Sequence, residues 1–433
     1  MVASFARGRG GAGCSGRSGA VRHRTLAVAL IALALVAAGC GSTLGAATPR
    51  ASTAGSDLSP DGTVTGSTAA FYRVPTPLSP APAGAIIRAQ VIPAGEPLPA
   101  GTTVYRILYH SESTSGGDLA VSGMVIVPGG SPPPGGFPIL SWAHGTTGLA
   151  DQCAPSVQGP TSIPSLATLI SRRMIVVATD YQGLGTPGLP PYLDGQSEAQ
   201  GVLDAARAAR ALLGSAASNT VVVLGYSQGG QAALFAGQIA QTYAPELFVA
   251  GVIAVAPVTS VEEFLPTVPG RRGDAGAVYA LSALEAWSAT YGNIPLASVL
   301  TPAARRQAVA LTTNCSSQLA AAIDGTAARR LFVAGWDRSA ALQADARDNR
   351  PGATPVPMPL LVVEGTEDTL TPYATVSDFV AGTLCTDPSD TVQYDRVRGT
   401  GHDGIMTTAE PLLVRWIAGR LAGRPVSRTC GTG

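Results

Sequence analysis

Gly225-Tyr226-Ser227-Gln228-Gly229 stands between the uninterrupted apolar run Val221-Val222-Val223-Leu224 and the helix-forming stretch Gln231-Ala232-Ala233-Leu234. A short continuous apolar run reads as a strand buried on both faces, so the segment predicts strand, sharp turn and helix in immediate succession. A serine on such a turn projects its hydroxyl from the top of a parallel sheet, and the flanking glycines keep side chains out of the neighbouring backbone. The bare pattern decides little: with 52 glycines in 433 residues, about half a G-x-S-x-G is expected by chance. Its surroundings have to decide.

Those surroundings alternate. Residues 103–110 and 120–128 read as two strands joined by the polar loop 111–118, an antiparallel pair. Residues 137–144, 174–180, 221–225, 252–257 and 360–364 are short apolar runs ending in polar or Gly-rich turns, and 391–398 alternates as a last strand. Helical patterns lie between them. Residues 196–213 put Val202, Ala205, Ala206, Ala209 and Leu212 on one face, 228–243 follows the serine, and 408–421 closes the chain. Strand and helix in alternation give an α/β fold around a mostly parallel sheet. From 259 to 357 the rhythm breaks, with helical patterns at 279–291, 302–311 and 317–332 and no strand-like run. That interval is too long for a plain loop, and it reads as a helical cap inserted between a first core part, 71–258, and a second, 358–433.

The N-terminus carries Arg7, Arg9, Arg17, Arg22 and Arg24 ahead of an uncharged run, 25–38, too short to span a bilayer comfortably. The run ends in Val36-Ala37-Ala38-Gly39-Cys40, which resembles a lipoprotein cleavage site. The expectation is a signal peptide over 1–40 and a lipid anchor on Cys40, the protein's contact with a membrane. Cys40→Ala would then release the protein into the medium, and unchanged membrane fractionation would contradict the anchor. Cleavage without lipid, leaving a secreted protein, is the alternative. Residues 41–70 are rich in Ser, Thr, Gly and Ala and read as a flexible tether.

Only 13% of residues are charged and the formal net charge is zero, so nothing resembles the basic footprint of a nucleic-acid binder. With Cys14 in the leader and Cys40 taken by lipid, Cys153, Cys315, Cys385 and Cys430 remain, an even number in an exported chain. Three pairings are open. Cys153 with Cys315 and Cys385 with Cys430 is favoured, because the second bridge would staple the C-terminal tail to the later core. The spacing offers no metal set.

A serine hydroxyl needs a base within hydrogen-bond reach and an acid that orients the base. Outside the leader the histidines are His110, His144 and His402. His402 lies in the glycine-rich loop Gly399-Thr400-Gly401-His402-Asp403-Gly404, after the last strand and before the final helix, where an imidazole can reach over the sheet. His144 ends the third run as His144-Gly145-Thr146-Thr147-Gly148, a loop placed to donate a backbone N–H, and its ring reads as structural. His110 reads as an ordinary loop or core residue. For the acid, Asp368 in Glu364-Gly365-Thr366-Glu367-Asp368 falls on the turn after a strand, with Glu367 and Glu364 as runners-up. The order Ser227, Asp368, His402 is that of an α/β-hydrolase. The amides of Gln228 and Thr146 would form the oxyanion hole.

Gly183-Leu184-Gly185-Thr186-Pro187-Gly188 matches a dinucleotide-binding fingerprint formally, but the prolines after it prevent a helix from starting. Asp180 at the end of the same strand reads as a brace for the top of the sheet. Asn314-Cys315-Ser316 is a glycosylation sequon by pattern only.

Trp142-Ala143-His144-Gly145-Thr146-Thr147-Gly148, Asp180-Tyr181-Gln182-Gly183-Leu184-Gly185, Gly225-Tyr226-Ser227-Gln228-Gly229, Gly365-Thr366-Glu367-Asp368 and Gly401-His402 together resemble the secretory lipase family, the group related to fungal lipase A. The resemblance spans residues 71 to the C-terminus. It implies an α/β-hydrolase core, a helical cap, hydrolysis of acylglycerols without metal or cofactor, and the roles of nucleophile, acid and base for Ser227, Asp368 and His402. A broad carboxylesterase or acyltransferase on the same fold is the alternative, and a non-catalytic ligand-binding lipoprotein a third reading. Phe264, Trp287, Phe332 and Trp336 are candidates to line an acyl channel in the cap, although each reads more readily as simple cap core.

Overall fold

A computed structural model describes residues 68–430 apart from 96, 272–275, 324–325 and 387–390. The leader with Cys40, and the tether up to residue 67, lie outside the described residues; the last three tether positions open a short helix, Thr68–Phe71.

Nine strands form one mixed sheet in the order β1-β2-β3-β5-β4-β6-β7-β8-β9. β1 (Ile86–Ile92), β2 (Thr103–Glu112) and β3 (Asp118–Val127) run antiparallel at one edge, and β3 pairs antiparallel with β5 (Ile175–Thr179). From β5 through β4 (Phe137–Ala143), β6 (Ala217–Tyr226), β7 (Phe248–Val255), β8 (Leu360–Gly365) and β9 (Val392–Val397) every pairing is parallel. The expected strands are all present. β1 is an addition, a half-buried edge strand inside the Pro-rich N-terminal stretch.

The apolar runs are continuous because both faces of the sheet are covered. In β6, Val221 and Val223 pack into one core and Val222 and Leu224 into the other. The first core lies under the helices Gly195–Leu213 and Gln228–Tyr243. Their facing positions are mostly alanine (Ala199, Ala205, Ala206, Ala232, Ala233, Ala236), which lets helix backbone lie close to the strands. The second core lies under Leu166–Ser171 and Ile405–Leu421.

Between β7 and β8 the chain runs through Val261–Arg271, Ala277–Tyr291, Leu296–Val299, Pro302–Ala308, Ser316–Ile323 and Ala340–Asp348. These helices build their own apolar cluster around Leu281, Leu284, Trp287 and Leu300, which also takes in Leu149, Tyr192, Val258 and Leu370 from loops of the sheet. Val261–Arg271 holds Pro266 and Pro269. Prolines of that kind break a helical reading of the sequence, yet packing on Ala277–Tyr291 sustains the helix. The expected helix over 317–332 ends at Ile323 and resumes only as a single turn, Ala328–Arg330.

Cys153 is bonded to Cys315, with Cα atoms 5.4 Å apart, and Cys385 to Cys430, at 5.3 Å. The first bridge ties the loop after β4 to the inserted helices, and the second ties the tail to the π-helical turn Val380–Leu384. Among the described residues, no helix is long and apolar enough to cross a membrane.

Candidate active site

β4 is flanked by β5 on one side and β6 on the other, so the loops leaving the C-terminal ends of β4 and β6 diverge and open a crevice at the top of the sheet. Ser227 sits at that point, directly after β6 and directly before the Gln228–Tyr243 helix. Its φ of 59° and ψ of −119° lie in a region costly for any residue with a Cβ, roughly 1–3 kcal/mol. Surrounding contacts hold it there. The Ser227 amide donates to Val255 O at 2.9 Å, and the Ser227 carbonyl accepts from the amides of Gly230 and Gln231. The neighbouring glycines are sterically required. A Cβ on Gly225 would lie 1.8 Å from Gly229 O, and one on Gly229 would lie 1.9 Å from Ala143 O.

His402 Nε2 and Ser227 Oγ are 2.9 Å apart, and His402 Nδ1 donates to Asp368 Oδ2 at 2.7 Å. All three side chains are buried. Asp368 Oδ1 accepts from the amides of Leu370 at 2.8 Å and Thr371 at 2.9 Å, and the Thr371 hydroxyl lies 3.1 Å from Oδ2. Burial works to raise the Asp368 carboxyl, but the hydrogen bond and charge of His402, with those two amides, hold it below the usual carboxylate range. The Tyr226 ring lies against the imidazole, centroids 5.0 Å apart, and the Tyr226 hydroxyl donates to His402 O at 3.0 Å. The imidazole is thereby oriented by groups on three elements.

The runner-up acids are placed elsewhere. Glu364 is fully buried within β8, where burial first and the Asp368 charge second push its carboxyl up to about 10. It is therefore neutral at physiological pH and leaves Asp368 as the carboxylate facing the imidazole. Glu367 is exposed. The other histidines are also accounted for. His110 pairs with Asp118 at 2.8 Å, while His144 Nδ1 donates to Gly145 O at 2.6 Å and its ring lies on Tyr181. Burial lowers His144 to about 4, so its ring is neutral. Asp180 accepts from Ser122 Oγ at 2.6 Å and the Ser156 amide at 2.9 Å, and so ties β3, β5 and the Pro155–Gln158 turn together.

Gln228, at the first position of its helix, has an amide with no intrahelical acceptor. Thr146 lies across the crevice, its hydroxyl 2.9 Å from Tyr192 OH. Of the four aromatic candidates for an acyl channel, Phe264 lines a narrow cleft with Val258, Thr371 and Pro372, a space of about 10 Å³ with room for little more than one water. Trp287 is instead fully buried and donates from Nε1 to Tyr192 O at 2.8 Å, and Phe332 stacks on Trp336 at 4.6 Å in the packing of the inserted helices. For these three the core reading holds: they pack in or against the helical layer's own apolar cluster. Gly183–Gly188 is a loop with no helix before Gly195. Among the described residues, no group of three His, Cys, Asp or Glu side chains is placed to hold a metal ion.

Two residues the sequence did not single out belong to this site. Glu198, on the helix that opens at Gly195, accepts from Gln228 Nε2 at 2.7 Å, and Tyr192 meets Thr146. An acid in the first turn of a helix ordinarily reads as a partner for the helix dipole, so only the tertiary contact reveals its other use.

A mixed nine-stranded sheet, helices on both faces and a serine on the turn after β6 define an α/β-hydrolase. The secretory lipase family pattern matches residues 156–429, and the chain belongs to that family. A Mycobacterium tuberculosis (strain CDC 1551 / Oshkosh) protein named as a probable inactive lipase is 23% identical over 384 residues, covering 82% of each chain. Lipase A of Arthroderma benhamiae is 25% identical over 349 residues, 76% of this chain and 72% of that protein. Candida antarctica lipase A in its closed state superimposes with a TM-score of 0.71 at 17% identity, over 84% of this chain and 87% of that one. A ligand-bound form of the rice cell wall degrading esterase LipA from Xanthomonas oryzae gives 0.67 at 22% identity, over 79% and 100%.

Proposed function

We propose that this protein hydrolyses carboxylic esters, acylglycerols foremost, through an acyl-enzyme on Ser227. The observation that carries the reading is the continuous hydrogen-bonded line from Ser227 Oγ through His402 to Asp368. One relative is named as inactive; in this chain His402 lies within hydrogen-bond distance of both Ser227 and Asp368, which supports turnover. Ser227 Oγ attacks the ester carbonyl as His402 Nε2 takes its proton, and Asp368 stabilises the imidazolium. The tetrahedral oxyanion rests on the amides of Gln228 and Thr146. His402 then protonates the leaving alkoxide, the alcohol departs, and water repeats the sequence on the acyl group.

The test is a panel of p-nitrophenyl esters from acetyl to palmitoyl, an emulsified triglyceride, and the matching p-nitroanilides. Turnover of long-chain esters and of the emulsion, with anilides at least about 100-fold slower, is expected for an acylglycerol hydrolase. Anilide cleavage at the ester rate would point to a peptidase, and an inert panel would remove the enzyme reading.

A further inference from the structure

We propose that Glu198 is the positioning residue of the oxyanion hole, holding Gln228 directly and Thr146 through the Tyr192-Leu193 turn. This rests on the serine-hydrolase reading above. Glu198 is 1% exposed. Its Oε1 accepts two hydrogen bonds, from Gln228 Nε2 at 2.7 Å and from the Leu193 amide at 2.9 Å. The first fixes the side chain of the residue whose amide is one oxyanion donor. The second fixes a turn that needs fixing, because Leu193 has a φ of 59°, a left-handed conformation costly for a non-glycine residue. Tyr192, the other residue of that turn, reaches the Thr146 hydroxyl at 2.9 Å, while its carbonyl is held by Trp287. One carboxyl thus links the β4 loop, the elbow after β6 and the Gly195–Leu213 helix around the place where negative charge develops.

Glu198 Oε2, by contrast, is buried and hydrogen bonds to no protein group among the described residues. With Gln228, His144 and Tyr192 the residue lines a narrow cleft of about 10 Å³, room for about one water. The ionisable groups around it are Asp194 at the start of its own helix, Asp180 and Tyr181 after β5, Tyr192 from the turn, and His144 from the β4 loop. None is a cation at neutral pH. Burial therefore pushes the Glu198 carboxyl up to about 8, and the residue is a neutral acid while the enzyme works near pH 7. A neutral carboxyl braces the oxyanion donors without opposing the charge they stabilise. Once pH rises through about 8 the side chain ionises, and a carboxylate beside the oxyanion hole raises the barrier.

The experiment compares wild type, Glu198→Gln and Glu198→Ala on one p-nitrophenyl ester from pH 6 to 10, with each rate divided by the sites titrated with a fluorophosphonate so that misfolded protein is not counted. Wild type should lose kcat above pH 8. Glu198→Gln keeps the acceptor without a charge, so its kcat at pH 7 should lie within about 3-fold of wild type and its alkaline fall should vanish. Glu198→Ala leaves two donors unpaired, and kcat at pH 7 should fall about 10- to 100-fold with KM little changed. A merely structural role would lower melting temperatures and leave the pH profiles per titrated site alike, which would overturn the proposal. So would wild-type kcat in Glu198→Ala. If wild type neither reacts with the fluorophosphonate nor turns over ester, the hydrolase reading itself has failed, and the proposal falls with it.

Discussion

Gly229→Ala is expected to lower the melting temperature by several degrees and kcat by about 100-fold or more, although the change adds a single methyl group. The methyl carbon would stand 1.9 Å from Ala143 O and 2.7 Å from His144 O, both backbone atoms that no side-chain rotation can clear. Ordinary overpacking of a core costs roughly 1–3 kcal/mol, and here relief requires the Gln228–Tyr243 helix to move away from the end of β4. That movement carries Ser227 and the Gln228 amide with it, and displacement of reacting groups by about 1 Å costs about 100-fold in rate. Gly419→Ala is the control. It lies within the Ile405–Leu421 helix, where an added Cβ meets nothing within 4 Å, and helix propensity favours alanine by about 1 kcal/mol. Thermal melts and ester turnover on the two variants check both halves. Wild-type activity in Gly229→Ala would mean that the elbow is not as tightly built as described.

The same crowding explains why this part of the site could be read from residues alone. Val221 to Leu224 must be apolar on both faces because helices cover both, and Gly225 and Gly229 must lack side chains because the elbow brings backbone onto backbone. Those demands leave a local trace in sequence. Asp368 and His402 could be placed because each occupies a turn directly after a strand, in the chain order the fold imposes. Other features leave no such trace. β1 hides in a Pro-rich stretch because an edge strand buries too little to show a period. The Val261–Arg271 helix holds two prolines, and tertiary packing overrides their propensity. Glu198 meets Gln228 across 30 residues, and Tyr192 meets Thr146 across 46. The two runner-up acids show the same limit from the other side: Glu364 is buried within β8 and Glu367 is exposed, and it is the hydrogen bond to His402 Nδ1 that singles out Asp368.

Ser227→Ala is expected to reduce kcat by about a million-fold, about 8 kcal/mol of transition-state stabilisation, with the fold intact. His402→Ala should cost nearly as much, and the double variant scarcely more than either, because a nucleophile without its base and a base without its nucleophile are equally idle. The hydrogen bonds of Ser227 Oγ to His402 and of His402 to Asp368 make the three side chains one unit, so additive losses would argue against the assignment. The most direct measurement is covalent trapping. Wild-type protein is treated with diethyl p-nitrophenyl phosphate, and the modified residue is located by mass spectrometry while release of p-nitrophenol is followed. The account predicts one equivalent released, one diethylphosphoryl group on Ser227, complete loss of ester turnover, and no labelling of Ser227→Ala. A label on another residue, or ester hydrolysis that persists with Ser227 fully modified, would contradict it.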